Sequence, residues 1–432
     1  MAEQTSTKLR NLVIYEIYIR NHTVEGTFSS IISDLDRIKN LGVDIIWFMP
    51  IHPIGKISRK GSLGCPYSIE DYDSVNPEYG TEYEFEKLLK EIHKRGMKCI
   101  IDVVYNHTSH ESKLYKLHPD AFYSEDKIPK SKVSDWSDVI DIDYEKAILD
   151  ENLICSLEKW IDLGVDGFRC DVASMVPVDF WLKARSRIED KKKDVIWLAE
   201  SVEPHFVKEL RDMGHKAWSE SEVFEAFDIL YDYDVHEYLK NYFAGNGSLK
   251  RYIEGIKAQD GSYQENYVKL KFLENHDNPR ASYMINDKSR LWNWTAFMYF
   301  QKGAVLLYAG QESYDKKTPS LFEKDEVNWE NRDIEYEKFI KKLGKIKKEL
   351  PVNGKHSIEY DEKLGVVISK WENSEFEWIG IFDLENKSIE KNIPIKYSYY
   401  KDLMTGSKCK FENRYIRVDG KPFVLRMRKD EI

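Results

Sequence analysis

Residues 271–280, KFLENHDNPR, place a run of polar side chains directly after an apolar segment that is typical of a β-strand. An ordinary strand end is followed by turn residues alone. Here the strand end is followed by two carboxylates, Glu274 and Asp277, and by the imidazole of His276. A single cluster of this kind is weak evidence, because Asn and Asp are also common turn formers. Its meaning depends on whether other strands of the chain end in the same way.

Three other apolar segments do end in polar groups. The segment IIDVVYNH ends in Asn106 and His107. The segments VDGFRCD and VIWLAE end in Asp171 and Glu200. Arg169 precedes Asp171 by two positions, so the period of two along a strand directs both side chains to one face. Each residue alone fits an ordinary structural role, such as an ion pair or a helix cap, but four strands that all end this way favour one shared site.

Carboxylates that stand apart from any nucleophilic Ser or Cys motif are typical of glycoside hydrolysis. One carboxylate attacks the anomeric carbon, and a second, kept protonated by a raised pKa, gives its proton to the leaving oxygen. The positive charge of Arg169 would keep Asp171 ionised as the nucleophile. Glu200 follows the apolar stretch WLA and is therefore the better candidate for the general acid/base.

Further polar groups complete the predicted site. Asp277, with His107 and His276, can hydrogen-bond sugar hydroxyls and stabilise an oxocarbenium-like transition state. Asp102 lies inside an apolar run, where a structural hydrogen-bonding role near the strand ends is at least as favoured as direct chemistry. A metallohydrolase built on His107, His110 and Asp102 is an alternative, but the two histidines stand in a loop rather than on a helix.

The elements around these residues alternate between short runs of Val, Ile and aromatics and amphipathic stretches of about a dozen residues, which is the pattern of βα units with a parallel sheet. Eight strands are predicted, the number that closes a (β/α)8 TIM barrel, and the sixth has the weakest pattern. All strands of such a barrel point their carboxyl ends to one pole, where residues are catalytic. The predicted strands lie near residues 15–18, 43–49, 97–104, 165–170, 195–199, 222–224, 268–273 and 304–308.

Two departures from the βα repeat divide the chain. Residues 106–142 form a connection after the third strand that is longer than a compact domain usually contains, which predicts a short inserted domain B. After residue 350 the helical pattern stops, and short alternating strands predict a C-terminal antiparallel β-sandwich domain over 351–432. The catalytic barrel, domain A, is accordingly predicted over 1–350.

The composition excludes several classes of partner. The chain carries 65 Lys and Arg against 75 Asp and Glu, a net charge of −10, which argues against nucleic acid and anionic membranes. The amino terminus lacks the pattern of a signal peptide, and no apolar run reaches the length of a membrane span. Five widely spaced cysteines fit reduced thiols better than a disulfide framework. We therefore expect a cytoplasmic protein. The sequence makes no prediction about its oligomeric state.

Seven stretches of the chain resemble, in the right order, signatures of the α-amylase superfamily, glycoside hydrolase family 13. Four of them contain the strand ends described above. The stretches are GVDIIWFMP (42–50), PYSIEDYDSVNPEYGT (66–81), DVVYNH (102–107), GFRCDVAS (167–174), WLAES (197–201), FLENHD (272–277) and GAVLLYAGQE (303–312).

This resemblance implies specific roles. It makes Asp171 the nucleophile, Glu200 the general acid/base and Asp277 the stabiliser of the transition state. A non-catalytic scaffold on the same barrel is an alternative, but such proteins typically lose members of this triad, and all three residues are present. The residues implied to bind or support one glucosyl ring are Tyr67, Asp102, His107, Arg169 and His276.

The implied reaction is hydrolysis of α-1,4 bonds in maltooligosaccharides and starch-derived glucans with retention of configuration. A 4-α-glucanotransferase remains an alternative, because a sugar hydroxyl can replace water and no residue separates the two. Cleavage of α-1,6 bonds in oligosaccharides is a further alternative, since Val172 after the nucleophile occurs among relatives that cut such bonds.

Calcium is a candidate ligand, although the chemistry itself requires no cofactor. Many secreted α-amylases have Lys-His after the nucleophile, where the His carbonyl binds calcium, but Ser174 and Met175 stand there in this chain. Asn106 and Asp141 resemble the other calcium ligands of the family, and hard oxygen donors suit the ion.

Overall fold

A computed structural model describes residues 4–146, 148–387, 389, 391–411 and 413–430. The strands are β1 (Val13–Ile17), β2 (Ile45–Phe48), β3 (Lys98–Val103), β4 (His107–Ser109), β5 (Ser124–Glu125), β6 (Ile128–Pro129), β7 (Val139–Asp141), β8 (Gly167–Cys170), β9 (Ile196–Ala199), β10 (Ile229–Tyr231), β11 (Lys269–Lys271), β12 (Ala304–Tyr308), β13 (Lys355–Asp361), β14 (Val366–Glu372), β15 (Phe376–Asp383), β16 (Asn392–Pro394), β17 (Tyr399–Asp402), β18 (Lys408–Lys410), β19 (Tyr415–Arg417) and β20 (Phe423–Arg428). The helices are α1 (Ile19–His22), α2 (Phe28–Ile31), α3 (Leu35–Asn40), α4 (Glu82–Lys94), α5 (Lys113–Leu117), α6 (Asp150–Leu163), α7 (Val178–Lys191), α8 (Pro204–Asp212), α9 (Glu220–Val223), α10 (Tyr233–Phe243), α11 (Leu249–Ser262), α12 (Ala281–Met284), α13 (Lys288–Phe300) and α14 (Ile334–Glu349).

Eight parallel strands close a barrel in the order β1-β2-β3-β8-β9-β10-β11-β12. The predicted TIM barrel is therefore confirmed. Successive residues of each strand alternate between two cores, as the period of two requires. In β2, Ile45 and Trp47 pack inside the barrel, whereas Ile46 and Phe48 pack in the larger core under the surrounding helices. Because both faces are covered, the strands read as continuous apolar runs in the sequence.

The sixth strand lies elsewhere than predicted. Residues 222–224 were expected to be extended, but Glu220–Val223 forms α9, and the strand β10 follows at Ile229–Tyr231. The reason is local: Ser219 and Glu222 form a capping box, in which the Ser219 side chain and the Glu222 carboxylate satisfy backbone N–H groups at the helix start. That spacing is a helix signal, and the prediction of a strand at 222–224 was wrong.

The long connection after β3 is fastened to the barrel mouth by a short antiparallel ladder. Its first strand, β4, pairs with β7 near its end, and His107 lies opposite Asp141 in the register. A small hairpin, β5 with β6, lies between them. The insertion predicted over 106–142 therefore begins and ends at the same place, beside the carboxyl end of β3.

The C-terminal part is an antiparallel six-stranded sheet with the order β13-β14-β15-β20-β17-β18. One face is covered by the two-stranded sheet of β16 and β19, through Ile393 and Ile416. The other face packs on α13, where the Phe382 ring lies 5.6 Å from that of Phe297 and 5.7 Å from that of Phe300. The antiparallel C-terminal sheet is confirmed, and its second layer consists of two strands.

The end of α14 at Glu349 and the start of β13 at Lys355 bracket the predicted boundary between residues 350 and 351. The outermost predicted limits, residues 1 and 432, lie outside the described residues. None of the helices in the described ranges has the length and apolar character to cross a bilayer.

Candidate active site

The carboxyl ends of four barrel strands bring one group of charged side chains together, which we call the rim cluster. Its members come from β3, β8, β9 and the segment after β11, as the strand-end pattern predicts. They are Asp102, Arg169, Asp171, Glu200, His276 and Asp277. The cluster forms the floor of a cleft of about 440 Å³.

Arg169 is the centre of the rim cluster, with no exposed surface. Its Nη1 donates to Asp102 Oδ1 and to Asp171 Oδ1, each at 2.9 Å. Its Nη2 lies 2.9 Å from Glu200 Oε2, as an ion pair. The Trp47 ring lies 5.1 Å from the guanidinium carbon, so the cation also has an aromatic neighbour. One guanidinium thus holds three carboxyl groups next to one another.

Asp171 and Glu200 differ in their ease of ionisation. Burial raises the pKa of Asp171 to about 6, although Arg169 acts in the opposite direction. Burial raises the pKa of Glu200 to about 8, against the effect of Arg169 and with a further contribution from the charge of Asp171. Near neutral pH, Asp171 is therefore largely ionised while Glu200 is largely protonated. This is the pair of states that a nucleophile and a general acid need.

The backbone after Asp171 is shaped to contact Glu200. Val172 has φ 35° and ψ 46°, in the left-handed region that β-branched residues rarely adopt. In this conformation its backbone N–H donates to Glu200 Oε2 at 2.8 Å. A strained residue directly after one carboxylate therefore orients the other, as is common at functional sites.

Asp277 lines the same cleft as Asp171 and Glu200, and 42% of its side chain is exposed. Its Oδ2 lies 3.1 Å from Nε2 of His276. Burial opposes ionisation of Asp277, but His276 and Arg169 outweigh it and hold the pKa below its ordinary value. Asp277 is therefore an ionised carboxylate open to the cleft.

Tyr67, from the segment after β2, connects two members of the rim cluster. Its hydroxyl donates to Asp102 Oδ2 at 3.0 Å and lies 2.8 Å from Nε2 of His276. The Tyr67 and His276 rings are stacked, with centroids 5.3 Å apart. Tyr67 lines the cleft, whereas Asp102 is fully buried beneath it. Asp102 is therefore placed to support the cleft floor rather than to touch a substrate.

His107 also lines the cleft, beside the nucleophile candidate. Its Nε2 lies 3.9 Å from Asp171 Oδ2, and its ring packs against Trp136 of the insertion at 5.3 Å. Burial lowers the pKa of His107, which makes the neutral ring the dominant form near pH 7. A neutral imidazole in this position can donate one hydrogen bond to a ligand.

Several cleft residues were missed by the sequence reasoning. Trp136 and Phe322, from two loops, and Phe206, from the first turn of α8, form aromatic walls, and no spacing in the sequence groups them. Glu16 is different: it is the penultimate residue of β1 and contacts His276, so a search for polar residues near the carboxyl ends of the strands could have found it.

The calcium candidates Asn106 and Asp141 offer few donors. Asp141 Oδ2 accepts from the Lys132 backbone N–H at 3.0 Å, and Oδ1 is buried without a hydrogen-bond partner among the described residues. The Asn106 amide nitrogen lies 3.2 Å from His107 Nδ1. Calcium takes about six to eight oxygen ligands. One free carboxylate oxygen does not fit that requirement, and no step of the chemistry is routed through a metal.

A transition-metal site is not formed either. In the ranges that the structure describes, no group of three or more His, Cys, Asp or Glu side chains is placed to hold a metal ion. His110 instead lies with its Nε2 3.0 Å from the Ser137 carbonyl oxygen. The geometry therefore gives no support to a metallohydrolase built on His107, His110 and Asp102.

Comparison with known proteins agrees with this geometry. The family model for the alpha amylase catalytic domain matches residues 17–138 and 132–352, and that for the bacterial alpha amylase C-terminal domain matches residues 357–425. A crystal structure of an alpha-amylase from Lactobacillus plantarum is 39% identical with a TM-score of 0.93, over 98% of this chain and 100% of that chain.

Two further relatives show the range of the match. The noncanonic maltogenic alpha-amylase AmyB from Thermotoga neapolitana is 30% identical with a TM-score of 0.86, over 98% of this chain and 99% of that chain. Alpha-amylase MalA of Haloarcula japonica is 26% identical over 355 residues, which are 78% of this chain and 49% of that protein. The chain thus spans about half the length of that curated relative.

Proposed function

The chain belongs to the alpha-amylase family, and on this premise we propose that it is a retaining glycoside hydrolase that cleaves α-1,4 bonds in maltooligosaccharides and starch-derived glucans. One observation carries the proposal. Asp171 and Glu200 are held by the same guanidinium, yet burial leaves Asp171 with a pKa of about 6 and Glu200 with a pKa of about 8. This difference supports Asp171 as the nucleophile and Glu200 as the general acid.

In the first step, the Asp171 carboxylate attacks the anomeric carbon of the bound glucosyl unit. Glu200 gives its proton to the glycosidic oxygen, so the bond from that oxygen to the anomeric carbon breaks and the leaving sugar departs neutral. A covalent glycosyl ester on Asp171 remains. Because the anomeric carbon has been attacked from the face opposite the leaving group, its configuration is inverted at this stage.

In the second step, Glu200 is a carboxylate and acts as general base. It takes a proton from water as the water oxygen attacks the anomeric carbon, and the bond to Asp171 breaks. The second inversion restores the original configuration. Asp277 faces the glucosyl unit throughout, and its carboxylate stabilises the positive charge that develops on that unit, while His276 donates a hydrogen bond at the same site.

The rim of the cleft supports oligosaccharides as substrates. Lys60 Nζ lies 3.1 Å from Asp138 Oδ1 of the insertion, and the Ser62 backbone N–H donates to Glu323 Oε1 at 2.7 Å. The segment of Lys60 and Ser62 therefore ties the insertion to the loop after β12. Since Lys60, Asp138 and the neighbouring Phe322 all line the cleft, this tie narrows the space beside the catalytic residues. Short glucans fit such an opening more readily than granular starch.

No cofactor enters this proposal, because the two carboxyl groups supply both the nucleophile and the proton. We further propose a cytoplasmic location, without nucleic-acid or membrane partners. The five cysteines, all within the described part of the chain, have free thiols, and the net charge is −10.

A product analysis on a panel of maltooligosaccharides, isomaltose, pullulan and cyclodextrin tests the proposal. We expect glucose and short maltooligosaccharides from the α-1,4 substrates, released first as the α-anomer in NMR spectra. Initial release of the β-anomer would contradict the roles of Asp171 and Glu200.

The same panel separates the alternatives. Products longer than maltotriose, formed from maltotriose alone, would identify a 4-α-glucanotransferase. Faster cleavage of isomaltose than of maltose would identify an α-1,6-acting glucosidase. Cyclodextrin has no chain end, so its cleavage distinguishes attack within a chain from attack at a terminus.

A further inference from the structure

Glu16 is a buried acidic residue for which the proposed reaction has no use. It lies in β1, where none of its surface is exposed, and it pairs in the register with Tyr308 of β12 and Trp47 of β2. Its Oε1 contacts Nδ1 of His276, across 260 positions of the chain. Its Oε2 is buried, and no hydrogen-bond partner for it exists in the described ranges. The carboxyl group therefore has one strong contact, and that contact is His276.

His276 has an acceptor at each ring nitrogen. Nδ1 faces the Glu16 carboxyl group, and Nε2 lies 3.1 Å from Asp277 Oδ2 and 2.8 Å from the Tyr67 hydroxyl. A neutral imidazole carries a hydrogen on only one nitrogen. It would point the lone pair of the other nitrogen at a carboxylate. The doubly protonated ring satisfies both contacts and balances the buried charge of Glu16.

We propose that Glu16 is a positioning residue, whose carboxylate keeps both nitrogens of His276 protonated so that Nε2–H remains a hydrogen-bond donor at the cleft. The proposal rests on the function proposed above, in which His276 faces the glucosyl unit. With Glu16 in place, His276 brings a fixed positive charge and a fixed donor to the site. Without it, the Tyr67 hydroxyl could donate to a neutral Nε2, and the Nε2–H donor beside Asp277 at the cleft would be lost.

The surroundings of the ring agree with this assignment. Burial by itself would lower the pKa of His276, but Asp277 and Glu16 outweigh burial and raise the pKa well above its ordinary value. The Trp47 ring packs edge-on at 5.8 Å and keeps water from the Glu16 side. Other titratable or charged groups either contact His276 or lie next to one of its hydrogen-bond partners. They are Glu16, Tyr67, Asp102, Arg169, Asp277 and Tyr308.

The direct test is the titration of His276 in the full-length chain labelled with ¹⁵N-histidine. The protein has 11 histidines, so the resonances are assigned by their absence in His276→Gln. We expect both ring nitrogens to be protonated from pH 6 to beyond pH 8. In Glu16→Gln, which keeps the shape and removes the charge, the midpoint should fall by about one to three pH units. Glu312→Gln is the matched control, since this buried acid binds Arg37 rather than His276.

The kinetic counterpart is the pH profile of hydrolysis. Glu16→Gln should lower kcat by about ten-fold to a hundred-fold at pH 8, with a smaller loss at pH 6, because the donor disappears only where His276 deprotonates. KM should change less than kcat. A purely structural role would instead lower the melting temperature and reduce activity equally at both pH values.

Each outcome decides the proposal. A neutral His276 in the wild-type chain at pH 7 overturns it, even if the variant does not fold. An unchanged His276 midpoint in a folded Glu16→Gln also overturns it. Because the NMR titration needs no turnover, a failure of the proposed hydrolysis is distinguished from a failure of this inference.

Discussion

Two of the buried charge clusters in the described part of the barrel invite comparison, because the rim cluster is open to the cleft and the other is not. The second, which we call the lysine cluster, lies between the barrel wall and the helices around it. Lys269 and Lys271 are both in β11, while Leu270 between them faces the barrel interior. The period of two therefore directs both lysines outward, away from the rim cluster. The carboxyl groups around them are Glu220, Asp232 and Asp234.

Pairing is nearly complete in the lysine cluster. Lys269 lies 2.6 Å from Glu220 and 3.1 Å from Asp234, and Lys271 lies 2.8 Å from Asp232. In the rim cluster, by contrast, four carboxyl groups share Arg169 and His276. Burial, with a smaller contribution from the neighbouring carboxylates Asp171 and Asp277, leaves one of them, Glu200, with a pKa of about 8.

The comparison shows that a perturbed pKa does not by itself mark an active site. Burial raises the pKa of Glu220 and of Asp232, although the nearby lysines act against it. These groups do not line the cleft, whereas Asp171, Glu200 and Asp277 do. The rim cluster thus differs in two ways that can be tested. It lines the cleft, and it has four carboxyl groups to two cations, against three to two in the lysine cluster.

The largest effect should come from Asp171→Asn. Loss of the nucleophile should lower kcat by about four orders of magnitude or more, with little change in the melting temperature. Asp232→Asn, the same substitution in the lysine cluster, should keep kcat per folded molecule and lower the melting temperature. Kinetics and thermal melts on both variants provide the check. Near-normal turnover of Asp171→Asn would remove the distinction between the clusters.

Glu200→Gln should lower kcat on maltooligosaccharides by about 10²–10⁴-fold, because protonation of the leaving oxygen is lost. With an α-glucosyl fluoride, whose leaving group needs little protonation, the first step should recover and a burst of fluoride should precede slow turnover. Glu220→Gln is the control and should show neither effect. An equal loss on both kinds of substrate would argue against Glu200 as the general acid.

Lys269→Met removes a cation from the lysine cluster and tests whether that cluster contributes to stability rather than to catalysis. It leaves Glu220 as a buried carboxylate without its cation, which typically costs about 3–5 kcal/mol of unfolding free energy. The kcat per folded molecule should stay unchanged. Denaturant unfolding measures the loss, and the double variant Lys269→Met, Glu220→Gln should recover much of it. Full stability of the single variant would mean that the pairing in the lysine cluster contributes little.

The smallest effect is the pH dependence of kcat/KM, about ten-fold per pH unit on each limb. Activity should fall below about pH 6, where Asp171 takes up a proton, and above about pH 8, where Glu200 loses one. The alkaline limb should disappear in Glu200→Gln and persist in Glu220→Gln. If the alkaline limb of the pH profile persists in Glu200→Gln, the titration of another residue causes it.

The barrel, the C-terminal antiparallel sheet and the pole at which polar residues gather could all be predicted from the sequence. The physical reason is local. Alternation along a buried strand fixes which side chains share a face, and parallel strands direct all their carboxyl ends to one pole. Asp171, Glu200 and Asp277 could therefore be assigned to one rim before any distance was known, and the family resemblance supplied their expected roles.

Which side chains contact one another depends on the three-dimensional fold. Arg169 holds three carboxyl groups, and Glu16 reaches His276 across 260 positions. The aromatic cleft walls come from two loops and from α8. All of these contacts follow from closure of the barrel, which the sequence does not encode locally. The same holds for charge: a pKa depends on burial and on neighbours in space. Asp232 and Asp171 are the same residue type near strand ends, and their different positions relative to the cleft separate a structural ion pair from a candidate nucleophile.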